Sequence, residues 1–277
     1  MRILSLGIVW LSLVVLATDS RADGFSACLD QFPGKAVPKP FSSTVQDLCK
    51  FADGQDIFAV RYDTTRKTPN WTVHKLTPAE ANGQTKRNRP KFKTDPDIET
   101  DKQAIDDSYK GSGYSRGHIV AAADMSWNLK AYKTTFLFSN VVPQKQTFNA
   151  GVWLGMEKEL RSLVKSKNID IWGYSGVYGQ VHIQPTIGTP PNAPVVPQCF
   201  YKIFVTQNKG NKKYKAIAAL YHWDDYSQQK TWAKSITTLD QIKKRSGIHF
   251  LDGLDLEDSY DASFWGAPMP QTITDCS

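Results

Sequence analysis

The stretch GSGYSRGHIVAAADMSWNLKAYKTTFLFSNVVPQ at residues 111–144, followed by NAGVWLGMEKELR at 149–161, decides how this chain is read. It sets Arg116, Gly117 and His118 after a Gly-rich turn, then Asn140 within SNVVPQ, then a run with helical periodicity. SRGHIVAAADM reads as a strand or extended segment, and a short helix is expected over 128–133. FLFSNVVPQ at 136–144 reads as a buried strand entering a Pro-bounded turn. Asn149 is the expected cap of a helix reaching about residue 165, because Trp153, Met156, Leu160 and Val164 form an apolar stripe at helical spacing.

These residue types suit one kind of chemistry. A phosphodiester shields its phosphorus with negative oxygens, so cleavage by water needs charge neutralisation, a base for the water and help for the leaving oxygen. Histidine is the natural base near neutral pH, which makes His118 the candidate. Asn149, Trp153, Glu157 and Arg161 are spaced four apart and share a helix face. The Asn149 amide oxygen could ligate a hard cation, Glu157 could hold a metal-bound water, and Arg161 could reach a phosphate oxygen. Magnesium tolerates such sparse ligation because it keeps several of its own waters. Taken singly, each residue has an ordinary reading: a structural histidine, a helix cap, an i to i+4 ion pair and, for Trp153, a core side chain. The combination in one order is what favours chemistry.

RGH, then SNVVPQ, then the Asn-to-Glu-to-Arg helix resemble the DNA/RNA non-specific endonuclease family, whose site is a ββα-metal motif; residues 111–144 are especially similar to its endonuclease G branch. The similarity extends more loosely over 58–254. The resemblance implies that His118 is the general base and Asn149 the sole direct protein ligand of Mg2+, with Mn2+ able to substitute. By the same resemblance Glu157 organises the metal's waters, Arg116 and Arg161 shape the site and handle phosphate, and Asn140 supports the histidine region. A further arginine is implied before the FKTDP string, where Arg87 and Arg89 both stand and Arg89 is preferred. DNA and RNA are the implied substrates, cut with little sequence preference to leave 5′-phosphate ends, and pairing into a homodimer is left open. One departure matters. The family's usual signature has Asp before Arg-Gly-His, and this chain has Ser115, which keeps a hydrogen-bonding group but loses the charge. A catalytically impaired nucleic-acid-binding module of the same fold is therefore the alternative, and an exported protein whose basic face binds lipid or glycan is a third reading.

The rest of the chain sets the frame. An apolar run over residues 3–17, then Ser20 and Ala22 at the −3 and −1 positions, reads as a signal peptide over 1–22, leaving 23–277 as a single nuclease domain with its core at about 50–256. A secreted or periplasmic protein, not held in a membrane, is the expectation. FAVRY at 58–62 and WTVHKL at 71–76 read as a hairpin, and IDIWGYSGVYG, CFYKIFV and YKAIAALYH as three more strands. Residues 77–110 are charged and read as a long surface segment, 190–197 as a rigid surface connection, and 235–250 as a short helix stopped near Gly247. Strands and helices mix without βαβ alternation, so the fold class is α+β, with a largely antiparallel sheet and flanking helices in keeping with the ββα-metal resemblance. Hydrophobic content of 40% argues against disorder, and a net charge of +7 suits a polyanion partner without demanding one. Four cysteines allow three pairings; Cys28 with Cys49 and Cys199 with Cys276 is the pairing expected if each ties down a terminal segment. His74, His182, His222 and His249 lie outside any motif and read as structural or surface residues.

Overall fold

The computed structural model describes residues 24–39, 44–85, 87–179, 185–222 and 231–273. The signal segment, His182 and the Cys276 half of the second expected disulfide lie outside the described residues.

Nine strands are present among them: β1 (Val45–Ala52), β2 (Gln55–Asp63), β3 (Thr68–Leu76), β4 (Ser115–His118), β5 (Val141–Gln144), β6 (Ile171–Tyr178), β7 (Cys199–Gln207), β8 (Tyr214–His222) and β9 (Ile236–Thr237). Seven form one antiparallel sheet in the order β1-β2-β3-β6-β7-β8-β9, while β4 and β5 pair with each other. The expected hairpin is β2 with β3, and the three later strands are β6, β7 and β8. The fold is α+β.

Helices cover both faces of the large sheet, and β7 shows how the sequence arranges this. Phe200 and Phe204 enter a core shared with Met156, Leu160 and Val164 of the helix Leu154–Lys167. Cys199, Tyr201, Ile203 and Val205 enter a second core with Phe25, Phe32, Ile242 and Phe250. Alternation of period two thus buries both sides of the strand, one residue set against each layer. Polar residues on the central strands are consequently buried and must be partnered. Arg61 of β2 lies over the rings of Phe25 and Trp71 at 5.3 and 5.2 Å and forms an ion pair with Asp47 at 2.7 Å. Cys28 and Cys49 form the first expected disulfide and tie the N-terminal turn to β1.

Three expectations need correcting. Residues 77–110 are not merely a surface segment: Asp95, Gln103 and Ala104 are buried, and Gln103 bonds the backbone at Asp95 and Ile98. Lys50 of β1 reaches the buried Asp95 at 2.6 Å and the exposed Asp97 at 2.7 Å, a clamp that holds the charged segment to the sheet. The connection over 190–197 is also partly interior, since Val195 and Val196 are buried and Val195 donates its N–H to the Arg66 carbonyl. Finally, the strand expected over 136–144 is split. A single helical turn, Phe138–Asn140, precedes the short β5, and the buried Asn140 side chain holds it by accepting from the Val120 N–H and donating to the Val120 and Thr135 carbonyls.

Lys50→Met leaves the Asp95 carboxylate buried without its cation, so the variant should lose about 3–5 kcal/mol of stability. Urea unfolding followed by circular dichroism checks this; an unchanged midpoint would show that the clamp holds nothing.

Candidate active site

The short hairpin and the helix after it form a ββα unit. Ser115 to His118 pair with Gln144 to Val141, so His118 stands opposite Val141 at the end of β4. Gly117 is dictated by close approach, because a Cβ there would run into the Gln144 amide. The Trp153 indole N–H donates to the His118 carbonyl at 3.0 Å and ties the hairpin to the helix.

The helix does not begin at Asn149. Gln146 to Phe148 are already helical, and the Asn149 N–H donates to the Lys145 carbonyl at 2.9 Å. Phe148 explains the difference: it is fully buried against Trp153, Phe200 and Tyr221, and that packing draws the preceding turn into the helix. Asn149 instead opens a wide π-helical turn, Asn149–Trp153, in which Gly151 departs from helical geometry. Such turns re-aim side chains and recur at functional sites. The Asn149 amide makes no hydrogen bond among the described residues and is part-exposed.

His118 sits in an aromatic box. Its ring lies 5.2 Å from Phe92 and 4.7 Å, edge-on, from Phe136. Its Nε2 is buried without a hydrogen-bond partner. Arg89 lies over the same two rings, at 5.8 and 5.7 Å. Burial, and then the positive charge of Arg89, push the imidazole down from 6.5 to about 3. Arg87 turns elsewhere, over Tyr132 at 4.8 Å, with its Nη1 donating to the Thr85 carbonyl. Of the two arginines, Arg89 is the one beside the histidine.

The other expected residues divide by surroundings. Glu157 is buried, and burial pushes its carboxyl up while Lys202 and Arg161 pull it back. Its nearest cation is Lys202 of β7 at 3.9 Å, and no hydrogen bond reaches the carboxylate among the described residues. Arg161 donates from Nη1 to Asp124 Oδ1 at 2.6 Å. Arg116 pairs with Asp106 at 2.8 Å and packs over Tyr109, so much of its fork is engaged. Asn140 is fully buried and spent on backbone: it accepts from Val120 N–H and donates to the Val120 and Thr135 carbonyls. It fixes the chain just after His118 and has no donor left for a substrate, so it is a positioning residue rather than one of the reacting groups. Ser115 Oγ donates to Gln146 Oε1 at the head of the helix.

Four residues given no role by the sequence reading also lie here. Gln144 is buried with neither amide atom hydrogen-bonded, although it stands within SNVVPQ. Asp124 is buried between Arg161 and His74, so of the two readings given for His74, structural or surface, the structural one holds. Burial alone would raise the Asp124 carboxyl, but bonds and charge from His74 and Arg161 outweigh it and hold it low. Lys202 lies among apolar strand residues, where sequence gives a lysine no special mark.

The donor set suits a hydrated hard cation. Asn149 offers an unengaged amide oxygen and Glu157 an acceptor-only carboxylate, while no cluster of three or more His, Cys, Asp or Glu among the described residues could cage a metal. A cation that keeps most of its water fits this arrangement.

The model for the DNA/RNA non-specific endonuclease family matches residues 44–257. Mitochondrial nuclease EXOG of Xenopus laevis is 32% identical over 216 residues, 71% of this chain and 57% of that protein. Mitochondrial endonuclease G of Homo sapiens is 30% identical over 173 residues, 57% of this chain and 55% of its own length, so the chain spans little more than half of these two relatives. Nuclease C1 of Cunninghamella echinulata var. echinulata is 28% identical over 215 residues, 73% of this chain and 83% of its own. In the crystal structure of the EndoG/EndoGI complex, a chain with 23% identity superposes with a TM-score of 0.66, covering 79% of this chain and 91% of that one. That likeness extends to the fold, with the antiparallel sheet and flanking helices described above. This chain belongs to the DNA/RNA non-specific endonuclease family.

Proposed function

We propose that this protein is an exported, Mg2+-dependent endonuclease that hydrolyses DNA and RNA phosphodiesters with little sequence preference. The observation that carries the reading is His118, an imidazole held neutral in an aromatic box beside Arg89 and tied through Trp153 to the helix bearing Asn149 and Glu157.

The unprotonated imidazole accepts a proton from water as the water oxygen bonds to phosphorus. The bond from phosphorus to the 3′ oxygen breaks, its electron pair leaves with that oxygen, and a solvent proton completes the 3′-hydroxyl. The phosphate stays on the 5′ side. Arg89, beside the histidine, is suited to a non-bridging phosphate oxygen, as are the Arg161 N–H groups not given to Asp124. Asn149 would hold a divalent cation and Glu157 would face its waters; when bound, that cation supplies Lewis-acid stabilisation of charge on the phosphate and departing oxygen. Contacts of this kind fall on phosphate and sugar, which every sequence shares. The apolar N-terminal run and the Cys28–Cys49 disulfide support export.

Purified protein should degrade plasmid and RNA with Mg2+, and EDTA or His118→Ala should abolish cutting while the fold survives. Intact substrate across pH and salt would sink the enzyme reading, and an active His118→Ala would sink the assigned base. Rates should also fall steeply between 50 and 200 mM salt, by roughly tenfold or more, as phosphate contacts require.

The depressed imidazole has a sign that can be tested. A lowered value means that His118 stays unprotonated, and able to accept a proton, well below the pH of about 6.5 where a free histidine would lose that capacity. The acid limb that His118 imposes on kcat/KM should lie below that pH, and Arg89→Gln, by removing a like charge, should move it upward. An NMR titration of the ring reads the same quantity directly; a wild-type midpoint near 6.5 would contradict the electrostatics.

A further inference from the structure

We propose that Asp124, held from the sheet by His74, is a positioning residue that keeps Arg161 from closing onto Glu157. Glu157 and Arg161 stand at i and i+4 on the helix Leu154–Lys167, with the acid N-terminal to the base. That spacing and order favour an ion pair within the helix. The pair is not formed: Arg161 Nη1 reaches Asp124 Oδ1 at 2.6 Å, and the ion pair of Glu157 is with Lys202, at 3.9 Å.

Both counter-charges come from outside the helix and are fixed. Asp124 is 2% exposed, and its second oxygen lies 3.1 Å from His74 Nε2. A carboxylate held in its ionised form cannot donate, so the ring nitrogen does. His74, on β3, stands opposite Gly173 of β6, and a Cβ at Gly173 would lie 3.1 Å from its ring. The ring is thus packed close against β6, where a glycine leaves room for it. Lys202 donates to Ser175 Oγ at 3.0 Å and lies 3.7 Å from the centre of the Trp153 ring, which holds its ammonium beside Glu157 rather than on it.

The consequence is chemical. A closed Glu157–Arg161 pair would cancel the two groups that a bound cation and a phosphate need. Because Asp124 takes the Arg161 contact, the Glu157 carboxylate keeps its acceptors and Arg161 keeps N–H groups for an anion. This inference rests on the nuclease reading only in naming that anion as a phosphate.

The test uses the mature protein in EDTA, where duplex binding requires no turnover. A crystal structure of metal-free Asp124→Asn should show the Arg161 guanidinium moved to salt-bridge distance from Glu157. Fluorescence anisotropy with a short DNA duplex should show about 10-fold weaker binding for Asp124→Asn and for Arg161→Gln, and no further loss in the double variant. Losses that multiply, or an Arg161 that stays in place with binding unchanged, would overturn the proposal. Should Asp124→Asn fail to fold, His74→Leu releases the same carboxylate and should show the same non-additive loss with Arg161→Gln. His74→Gln, which keeps a donor, should restore what His74→Leu loses; failure of that rescue would count against the proposal. A wild-type protein that does not bind DNA at all would sink the nuclease reading, while the position of Arg161 in the variant crystal would still decide this one.

Discussion

The Trp153 indole N–H donates to the His118 carbonyl, and that hydrogen bond joins the two elements of the site at the histidine itself. On one side is the two-stranded hairpin whose last residue carries the imidazole; on the other is the helix bearing Glu157 and Arg161. A single bond of this kind contributes only about 1 kcal/mol. Its strength lies in where it sits. The indole is 1% exposed and packed against Phe148, Phe200 and Tyr221, so the donor has no freedom to aim elsewhere. The Lys202 ammonium lies 3.7 Å from the centre of the same ring, which brings the central strand into the same unit. Hairpin, helix and sheet therefore meet at one side chain.

Much of this was legible from the residues. The β2–β3 hairpin and the strands β6 to β8 follow from alternation, and the helix from its stripe at 153, 156, 160 and 164. What sequence missed has a common physical source. Period-two patterning on β3 and β7 shows which residues share a face, but not that both faces are covered, so His74 and Lys202 passed as unremarkable polar positions. The start of the helix was misplaced because a local capping preference at Asn149 was outweighed by burial of Phe148, a tertiary effect with no local mark. The preference for Arg89 over Arg87 was likewise undecidable by spacing, since two residues apart in an irregular segment fixes no common direction. Packing over Phe92 and Phe136 distinguishes them.

The charged segment that carries Arg89 illustrates how such a loop can be precise without regular structure. Its later half is held by polar side chains: Gln103 on the backbone at Asp95, and Lys50 on Asp95 and Asp97. Between Arg89 and that clamp, Phe92 enters the aromatic contacts around His118, and Lys93 bridges to Leu137. The loop is thus fastened at one place by ions and at another by rings. Arg89 itself remains exposed at its tip, where a polyanion can reach it.

On the proposed reading, that arrangement would let a histidine so strongly depressed still serve as a base. A weak base transfers protons poorly, and efficiency is greatest when its affinity for the proton lies near the working pH. Burial and the charge of Arg89 depress His118 in the free protein. A phosphate anion beside Arg89 would offset the second of these causes, and negative charge gathering on the phosphate during attack would favour the imidazolium further. The free site would then keep the imidazole unprotonated, and a bound substrate would raise its proton affinity toward useful strength. On that reading, placing the arginine on the same two rings as the histidine makes both effects depend on one bound anion, so the proton affinity of His118 would rise when a phosphodiester is bound.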